Sequence, residues 1–429
     1  MALTYGARLA MTANSVIAGV LVARLLGAGN LGAYLVLAAA IQILIQFSGF
    51  ALPIANTYYT ARDSQKLPTV AANSVIFGVA SGGVSAAIVL AFSAWALPGV
   101  QFEIALVGLL AVPFQLVTTY ILNLFLAQGE IRRFNFIDLS NQSFVLVNAV
   151  IALFIIGGGI GLLVTLNTVS SVLMAVVAVA MLFRFASRRP SGTGWSPNLR
   201  LLGEMLVYSG KGFVLWISTF LVYRFDLMIV NYYRGAPEAA VYAVATQCTL
   251  FLLLLPHAVS QLLQARVSAT QDQGGEFTAR VVRGTAALLL AACLASIPGA
   301  YVVSLIYGPG FERLPLLLWI LLPGVLFVGV QQVIAQYFLG TGLPLRISIT
   351  WLATVVASIV ANLAVVPLYG AVGAAVVSTV CYIGVSIVMF FFFGQRTGQT
   401  WKEFLAPGAD DIRQMLTITG KKAGFLRAQ

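Results

Sequence analysis

Long apolar runs, separated by short polar segments, follow one another along most of the chain. Each run is continuous and lacks the alternation of apolar and polar residues typical of a β-barrel, so the pattern predicts membrane-spanning helices. About 20 apolar residues are enough to cross ~30 Å of hydrocarbon. We therefore predict an all-α polytopic membrane protein with about twelve spans, at residues 6–26, 31–58, 69–97, 103–127, 136–157, 161–184, 206–233, 238–263, 281–305, 315–339, 345–367 and 370–394.

A polar segment rich in arginine, proline, glycine and serine divides six spans from six. Such a composition predicts irregular structure between two membrane domains. We expect an N-terminal six-helix lobe at 1–186, a cytoplasmic linker at 187–202, a C-terminal six-helix lobe at 203–395 and a basic cytoplasmic tail at 396–429. The first apolar run ends without a small-residue cleavage site, so we expect it to be a helix of the mature chain.

The two halves share a weak internal similarity. The segment LGAGNLGAYLVLAA resembles RGAPEAAVYAVATQ, and three residue pairs recur at nearly one spacing: Tyr34 with Tyr242 at 208, Pro113 with Pro323 at 210, and Asn148 with Asn362 at 214. An even number of spans in each half predicts parallel repeats, an arrangement in which transporters bind substrate between the halves. Pro53 and Pro256 occupy corresponding spans and are either hinges for alternating access or tolerated membrane prolines.

Composition and charge narrow the functional class. The chain is 60% hydrophobic and 9% charged, with a formal net charge of +11. With the N-terminus in the cytoplasm, 19 of the 24 Lys and Arg residues fall on the cytoplasmic side and three on the opposite side. This split fits the positive-inside rule and places both termini in the cytoplasm, so the basic charge reflects topology and not nucleic-acid binding.

No motif for catalysis is present. The sequence has no phosphate-binding P-loop, no GxSxG nucleophile motif and no paired His or Cys ligands, and its three cysteines all lie in apolar runs. We therefore expect a protein that is not an enzyme and that holds no metal or cofactor. Transport driven by ATP would require a separate subunit.

The seventh predicted span is unusual because it contains three charged residues, Lys211, Arg224 and Asp226. A charge inside a membrane helix costs several kcal/mol and usually faces a protein interior or an aqueous path. We predict that Lys211 lines a central cavity and contacts an anionic substrate. Asp226 and Arg224 either serve that cavity or are structural, with Asp226 pairing an arginine such as Arg24 or Arg224.

Three further residues complete the predicted substrate site. Arg24 ends the first span, where it is either a cation at the outer mouth of the cavity or an anchor at the lipid headgroups. Gln331 and Gln332 place amides in the tenth span, where they either bind sugar hydroxyls or join neighbouring helices.

Several segments resemble the polysaccharide-type flippases of the multidrug/oligosaccharidyl-lipid/polysaccharide exporter superfamily. They are VARLLGAGNLGAY, RFDLMIVNYYRGAPEAAVYAVATQ, LIYGPGFE and ANLAVVPLYGAVGAAVVS, and they are spread over residues 1–394. The resemblance implies two six-helix lobes in a V shape and a cationic cavity for the pyrophosphate of a lipid-linked sugar. It supports Lys211, Arg224 and Arg24 as cavity residues. The chain lacks the two additional C-terminal spans of the peptidoglycan-precursor branch.

The first functional hypothesis is a flippase that moves a polyprenyl-diphosphate-linked oligosaccharide from the inner to the outer leaflet of the bacterial inner membrane. Its partners would be the lipid-linked substrate, membrane lipids and polysaccharide polymerase or glycosyltransferases, and not nucleic acid. The alternatives are a cation-coupled multidrug exporter, which favours acidic cavity residues, and a non-transporting scaffold of a polysaccharide synthesis complex. The excess of cations in span seven favours an anionic substrate.

Overall fold

The computed structural model describes residues 2–187, 194–257, 259, 260, 276–341 and 345–398, and all regular structure in these residues is helical. The predicted tail beyond residue 398 and part of the predicted linker lie outside this set. The α-helices are α1 (Ala2–Gly49), α2 (Leu52–Arg62), α3 (Leu67–Ala91), α4 (Ser93–Ala96), α5 (Phe102–Leu109), α6 (Ala111–Ala127), α7 (Ile131–Ala149), α8 (Ile160–Ala186), α9 (Leu199–Arg234), α10 (Ala236–Leu252), α11 (Glu276–Tyr307), α12 (Leu314–Thr341) and α13 (Leu345–Thr397). A 3₁₀ turn at Ser64–Lys66 and a π-helical segment at Val150–Ile155 extend α3 and α7.

Ten helices in the described part of the chain are long and apolar enough to cross a membrane. Two of them are very long, and each bends sharply at a glycine with positive φ: Gly27 in α1 (φ 77°) and Gly370 in α13 (φ 61°). The helix α13 contains two of the predicted spans, α1 contains one span and the first part of the next, and both bends lie close to the predicted boundaries. The predicted all-α polytopic membrane fold is therefore confirmed.

The second predicted span is interrupted where the sequence pattern shows a continuous apolar run. The break falls at Phe50 and Ala51, whose φ angles are positive (47° and 51°), and α2 begins at the next residue. Pro53 therefore lies in the first turn of a helix, where a missing N–H is tolerated. Pro256 likewise follows a turn at Leu253. In both halves the helix is thus interrupted just before the proline.

Contacts between Cα atoms divide the chain into two compact units. The first contains Met1–Ala240 and Tyr307–Gly310, and the second contains Val241–Ile306 and Phe311–Gln429. By this division α9 belongs to the first unit, although its position in the sequence repeat is that of the opening helix of the second half. The boundary between the predicted lobes is placed by the sequence repeat, so it differs from the boundary between these two units. The predicted lobes stay a prediction.

Backbone conformation supports the internal repeat. Three pairs of glycines with positive φ recur at spacings that match those of the sequence pairs: Gly27 with Gly235 at 208, Gly99 with Gly308 at 209, and Gly157 with Gly370 at 213. Gly27 and Gly235 also share their ψ angle, 170° and 171°. Because glycine is the residue that adopts positive φ without strain, these positions mark equivalent turns of the two halves.

A tyrosine hydrogen bond ties helices together within each unit. In the first unit, Asn167 Nδ2 donates to Tyr34 Oη at 3.2 Å, and Asn148 Nδ2 donates to Asn167 Oδ1 and to Ser170 Oγ, both at 2.9 Å. In the second unit, the hydroxyls of Tyr242 and Ser378 lie 3.1 Å apart. Ser378 follows Ser170 by the same 208 residues that separate the tyrosines. Buried polar groups of this kind stabilise a membrane bundle because lipid offers them no partner.

The two repeated segments touch each other at the end of α9. A Cβ atom added at Gly32 would overlap the carbonyl group of Ala236, and one added at Gly29 would lie 3.8 Å from Pro237 Cγ. Small residues here let the backbone of α1 approach the start of α10 closely. This approach requires glycine at position 32.

Replacing Gly32 with alanine should therefore lower stability by about 1–3 kcal/mol, because the new methyl group forces two backbones apart. Gly83→Ala is the matched control, since a Cβ atom at Gly83 meets no atom within 4 Å. Thermal unfolding of the detergent-purified protein, followed by tryptophan fluorescence, measures both variants. Equal unfolding midpoints for Gly32→Ala and Gly83→Ala would contradict the close approach.

Candidate functional site

The helix α9 carries three of the four charged residues of the predicted site, Lys211, Arg224 and Asp226. It begins after Asn198, whose Oδ1 accepts a hydrogen bond from Leu201 N at 3.0 Å, and it ends at Gly235. At a rise of about 1.5 Å per residue, Lys211 and Asp226 are separated by roughly 22 Å along the axis. They therefore act at different depths of the same helix.

The backbone around Lys211 lies against α2 and the end of α1. A Cβ atom added at Gly210 would lie 3.7 Å from Phe50 Cε1, and one at Gly212 would lie 3.1 Å from Ile54 Cδ1. The two glycines thus permit close packing on either side of the lysine. The side chain of Lys211 lies outside the described part of the structure, and its contact with substrate stays a prediction.

Asp226 is buried inside a membrane-length apolar helix, with 4% of its surface exposed. Its Oδ1 accepts a hydrogen bond from Leu227 N at 2.8 Å. Arg224 is half-buried, and both side chains interact with other parts of the protein. A carboxylate at this depth is stable only when it is compensated, which favours a structural or functional role over a chance position.

Arg24 lies on the exposed side of α1, three residues before the bend at Gly27. Its guanidinium group lies along the backbone of Gly308, where an added Cβ atom would be 3.4 Å from Nε and 3.5 Å from Cζ. Gly308 has a φ of 91°, so its conformation favours glycine. Gly308, from the LIYGPGFE segment noted in the sequence, is therefore a neighbour of Arg24.

Gln331 and Gln332 lie on α12, in the second unit, whereas the four charged residues lie in the first. Gln331 is buried, with 2% of its surface exposed, and Gln332 Oε1 is buried without a hydrogen-bond donor. A buried acceptor without a donor is destabilising, so Gln332 has capacity for a further hydrogen bond. Whether either amide contacts a sugar stays a prediction.

Sequence reasoning did not predict the aromatic contact between α9 and the α1–α2 region. Tyr208 stacks on Tyr58 with ring centroids 4.4 Å apart, and Phe213 stacks on Phe50 at 4.7 Å. Further along α9, Trp216 Nε1 donates to Gln46 Oε1 at 2.5 Å. The recurring aromatic residues of α9 were the available signal, but in an apolar span they also fit contact with lipid.

Tyr59 belongs to a cluster of three tyrosines near the start of α9. Burial raises the pKa of Tyr59, and the Glu204 carboxylate and the neighbouring Tyr58 and Tyr208 raise it further. The rings of Tyr58, Tyr59 and Tyr208 pack through stacked and edge-to-face contacts.

The segment before α9 is hydrogen-bonded to the start of α3. Asn73 Nδ2 donates to Asn198 O at 3.0 Å, and Asn198 N donates to Asn73 Oδ1 at 2.8 Å. Thr69 Oγ1 donates to Gly194 O at 3.2 Å. The composition of this linker predicts an irregular segment. It does not predict these hydrogen bonds, because the sequence does not indicate which group a single buried asparagine will bind.

The opposite end of α9 is also attached to the first unit. Asn231 Nδ2 donates to Pro98 O at 2.9 Å, and Tyr232 packs edge-on against Trp95. Contacts at its start, middle and end therefore hold α9 on the first unit along its length. In the described residues, no group of three or more His, Cys, Asp or Glu side chains is placed to hold a metal ion.

Replacing Tyr208 with alanine should weaken the packing of α2 against α9, because a stacked aromatic pair contributes about 0.5–1.5 kcal/mol of stabilising free energy. We expect amide hydrogen exchange in the first third of α9 to become roughly two- to tenfold faster. Tyr208→Phe should keep the wild-type rate, since it retains the ring.

Val207→Ala is the matched control on the same helix, because Val207 is 71% exposed. Equal acceleration in Val207→Ala and Tyr208→Ala, measured by mass spectrometry of the exchanged protein, would show that the stacking does not hold this part of α9.

Comparison with known proteins identifies solved structures that share this fold. No protein-family profile and no curated protein sequence matches the chain. Several solved structures do. The inward-facing conformation of a multidrug resistance MATE family transporter of the MOP superfamily matches 90% of this chain and 94% of its own, with 17% identity and a TM-score of 0.74. The lipid II flippase MurJ, in an inward closed conformation, matches 98% of this chain and 93% of its own, with 13% identity and a TM-score of 0.75.

A third structure has a binding pocket whose reverse polarity suggests a different function. It is a MOP superfamily transporter from Pyrococcus furiosus, with 16% identity over 91% of this chain and 93% of its own, and a TM-score of 0.58. These relatives are transporters and not enzymes. The chain is a multi-pass membrane protein with the fold of the MOP superfamily transporters.

Proposed function

We propose that this protein is a flippase that moves a polyprenyl-diphosphate-linked oligosaccharide from the inner to the outer leaflet by alternating access. The product would feed the assembly of a cell-surface polysaccharide such as O-antigen, capsule or exopolysaccharide. The proposed location is the bacterial inner membrane, with both termini in the cytoplasm. Polysaccharide polymerase or glycosyltransferases are the proposed protein partners.

The observation that carries the proposal is the sign of the charges on α1 and α9. Within the predicted spans 6–26 and 206–233, these helices bear Arg24, Lys211 and Arg224 against the single acid Asp226. A diphosphate is a multivalent anion, and Arg and Lys are the side chains that bind phosphate most strongly. A site for cationic drugs would favour acidic residues instead.

The fold alone does not decide between the two substrate classes, because the MATE exporter and MurJ have nearly equal TM-scores. In the Pyrococcus transporter, reverse polarity of the binding pocket suggests a different function within this fold. That precedent supports the use of site charge to distinguish an anionic substrate from a cationic one. The cation-coupled multidrug exporter is the second candidate, favoured by the MATE structures, and a non-transporting scaffold is the third.

In the proposed mechanism, an inward-open cavity admits the charged head group while the polyprenyl chain stays in the bilayer. Lys211, Arg224 and Arg24 would neutralise the phosphates, and the glutamines would bind sugar hydroxyls. Neutralisation lowers the penalty of moving the phosphates through the membrane interior. The substrate drives the cycle only if it binds the inward and outward states with different affinities.

Deletion of the gene and its complementation test the proposal. We expect deletion to trap the lipid-linked oligosaccharide on the inner leaflet and to abolish the surface polysaccharide. Lys211→Ala should reduce transport roughly ten- to a hundredfold, because a hydrogen bond between charged groups contributes about 1.5–3 kcal/mol. Lys211→Arg should restore much of it. Leaflet-resolved chemical analysis of the lipid-linked sugar measures each strain, and immunoblotting confirms membrane levels.

Arg132→Ala, an exposed position at the start of α7, is the control and should complement fully. Intact polysaccharide combined with sensitivity to cationic drugs after deletion would replace the flippase with the exporter. Full rescue by Lys211→Ala, with trapping still seen in the deletion strain, would retain the flippase but remove Lys211 from its site.

A further inference from the structure

A pocket of about 230 Å³ lies between the start of α3 and the start of α9, within the first unit. The hydrogen bonds from Asn73 and Thr69 of α3 to the segment before α9 hold these two helix ends together. The lining of the pocket consists of Lys66, Thr69, Asn198, Arg200, Leu201 and Glu204. Two distant parts of the sequence therefore build one pocket on a hydrogen-bonded frame.

The pocket lies at the level of the lipid headgroups. Its lining residues lie at or before the first residues of the predicted spans 69–97 and 206–233. Beyond the pocket, apolar side chains are exposed along both helices, among them Ile76 and Val79 on α3 and Val207 on α9. Such surfaces suit acyl chains, so we expect the pocket to hold a molecule of the membrane.

Both signs of charge line the pocket. Lys66 and Arg200 supply two cations, and Glu204 supplies a carboxylate. Arg200 Nε lies 3.6 Å from Glu204 Oε1, so a cation and an anion of the protein stand side by side. The ligand that fits this pattern carries a negative group and a positive group a short distance apart.

The ion pairs of the pocket can exchange with such a ligand. Lys66 Nζ lies 3.6 Å from Asp63 Oδ2, and Arg200 is 92% exposed in its pair with Glu204. Exposed ion pairs contribute little to stability, because water solvates both partners well. A zwitterionic ligand can therefore pair with Arg200 and Glu204 together and leave neither charge without a partner.

The start of α9 favours the negative group of the ligand beside Arg200. Arg200 is the second residue of α9, where a positive charge is unfavourable because the amino end of a helix is itself partly positive. A phosphate next to Arg200 would compensate both the guanidinium group and the helix end. The side-chain amide of Asn198, at the same end, provides a neutral hydrogen-bond donor.

We propose that this pocket binds the headgroup of a phospholipid whose phosphate carries a primary amine, as in phosphatidylethanolamine. Lys66 and Arg200 bind the phosphate through charge-assisted hydrogen bonds, and Glu204 accepts hydrogen bonds from the ammonium group. The volume is below the ~300–1,000 Å³ of typical drug-sized sites, which suits a headgroup and not an oligosaccharide. The proposal does not depend on the proposed flippase activity.

The chemistry of the pocket distinguishes this headgroup from two others. The quaternary ammonium of phosphatidylcholine has no N–H to donate to Glu204. Phosphatidylglycerol has no amine, so it leaves the carboxylate beside an anion without compensation.

Thermal unfolding of the full-length protein in detergent, with added lipids of identical acyl chains, tests the site. We expect phosphatidylethanolamine to raise the unfolding midpoint more than phosphatidylcholine or phosphatidylglycerol does, since a ligand of the native state stabilises it. Lys66→Gln/Arg200→Gln should lower the apparent affinity for phosphatidylethanolamine by about tenfold or more. Arg132→Gln, which removes an exposed arginine in the first turn of α7, should leave it unchanged.

The variant Glu204→Gln separates recognition of the amine from a folding defect. It removes the negative charge and keeps the phosphate-binding cations, so phosphatidylglycerol should become at least as effective as phosphatidylethanolamine. Lys66→Arg/Arg200→Lys keeps both positive charges and should keep most of the wild-type response. Native mass spectrometry provides a second readout by counting bound phosphatidylethanolamine molecules, and Lys66→Gln/Arg200→Gln should lose one of them.

Equal responses of the wild type to the three lipids would overturn the proposal, as would a stronger response to phosphatidylglycerol. A wild-type response in Lys66→Gln/Arg200→Gln, or an unchanged lipid preference in Glu204→Gln, would also overturn it. Full stabilisation by O-phosphoethanolamine, which has the same headgroup without acyl chains, would show that the ligand is a soluble molecule and not a lipid.

Discussion

The contact of the Gly32 backbone with Ala236 is the constraint on which the placement of α9 depends. It brings the two similar segments together, and each segment turns at a glycine, Gly27 or Gly235, with nearly the same backbone conformation. A β-carbon at position 32 would separate them. Because this contact fixes the end of α9, and the Asn73–Asn198 pair fixes its start, the charged helix is held at both ends on the first unit.

Close packing and charge burial are coupled along α9. Glycines at 210 and 212 let the helix approach the α1–α2 region, where aromatic rings from both sides stack. Further along α9, Asp226 is buried, and at such a site the effective dielectric constant is low, so a charge is costly when isolated and interacts strongly with an opposite charge. The buried Asp226 therefore constrains the protein around it.

Much of the fold could be predicted from the sequence, because membrane helices satisfy their backbone internally and each is visible as one apolar run. The bends at Gly27 and Gly370 also fall close to predicted boundaries. The break at Phe50 and Ala51 could not be predicted, since both residues are apolar and neither favours positive φ. The charged residues of the site stand out against an apolar background. The aromatic residues around them do not stand out, because a tyrosine that stacks on α2 and a tyrosine that faces lipid look the same in an apolar sequence.

The two units keep a common backbone plan but differ in charge. Each unit has the tyrosine hydrogen bond, and the glycine turns recur in the two halves of the chain, so these features are structural because they recur where the chemistry differs. The first unit contains α9 with the buried Asp226 and its cations, whereas the sequence has no acid from residue 313 to residue 402. Divergence of charge over a shared backbone plan changes what each half of the chain attracts without altering its helix packing.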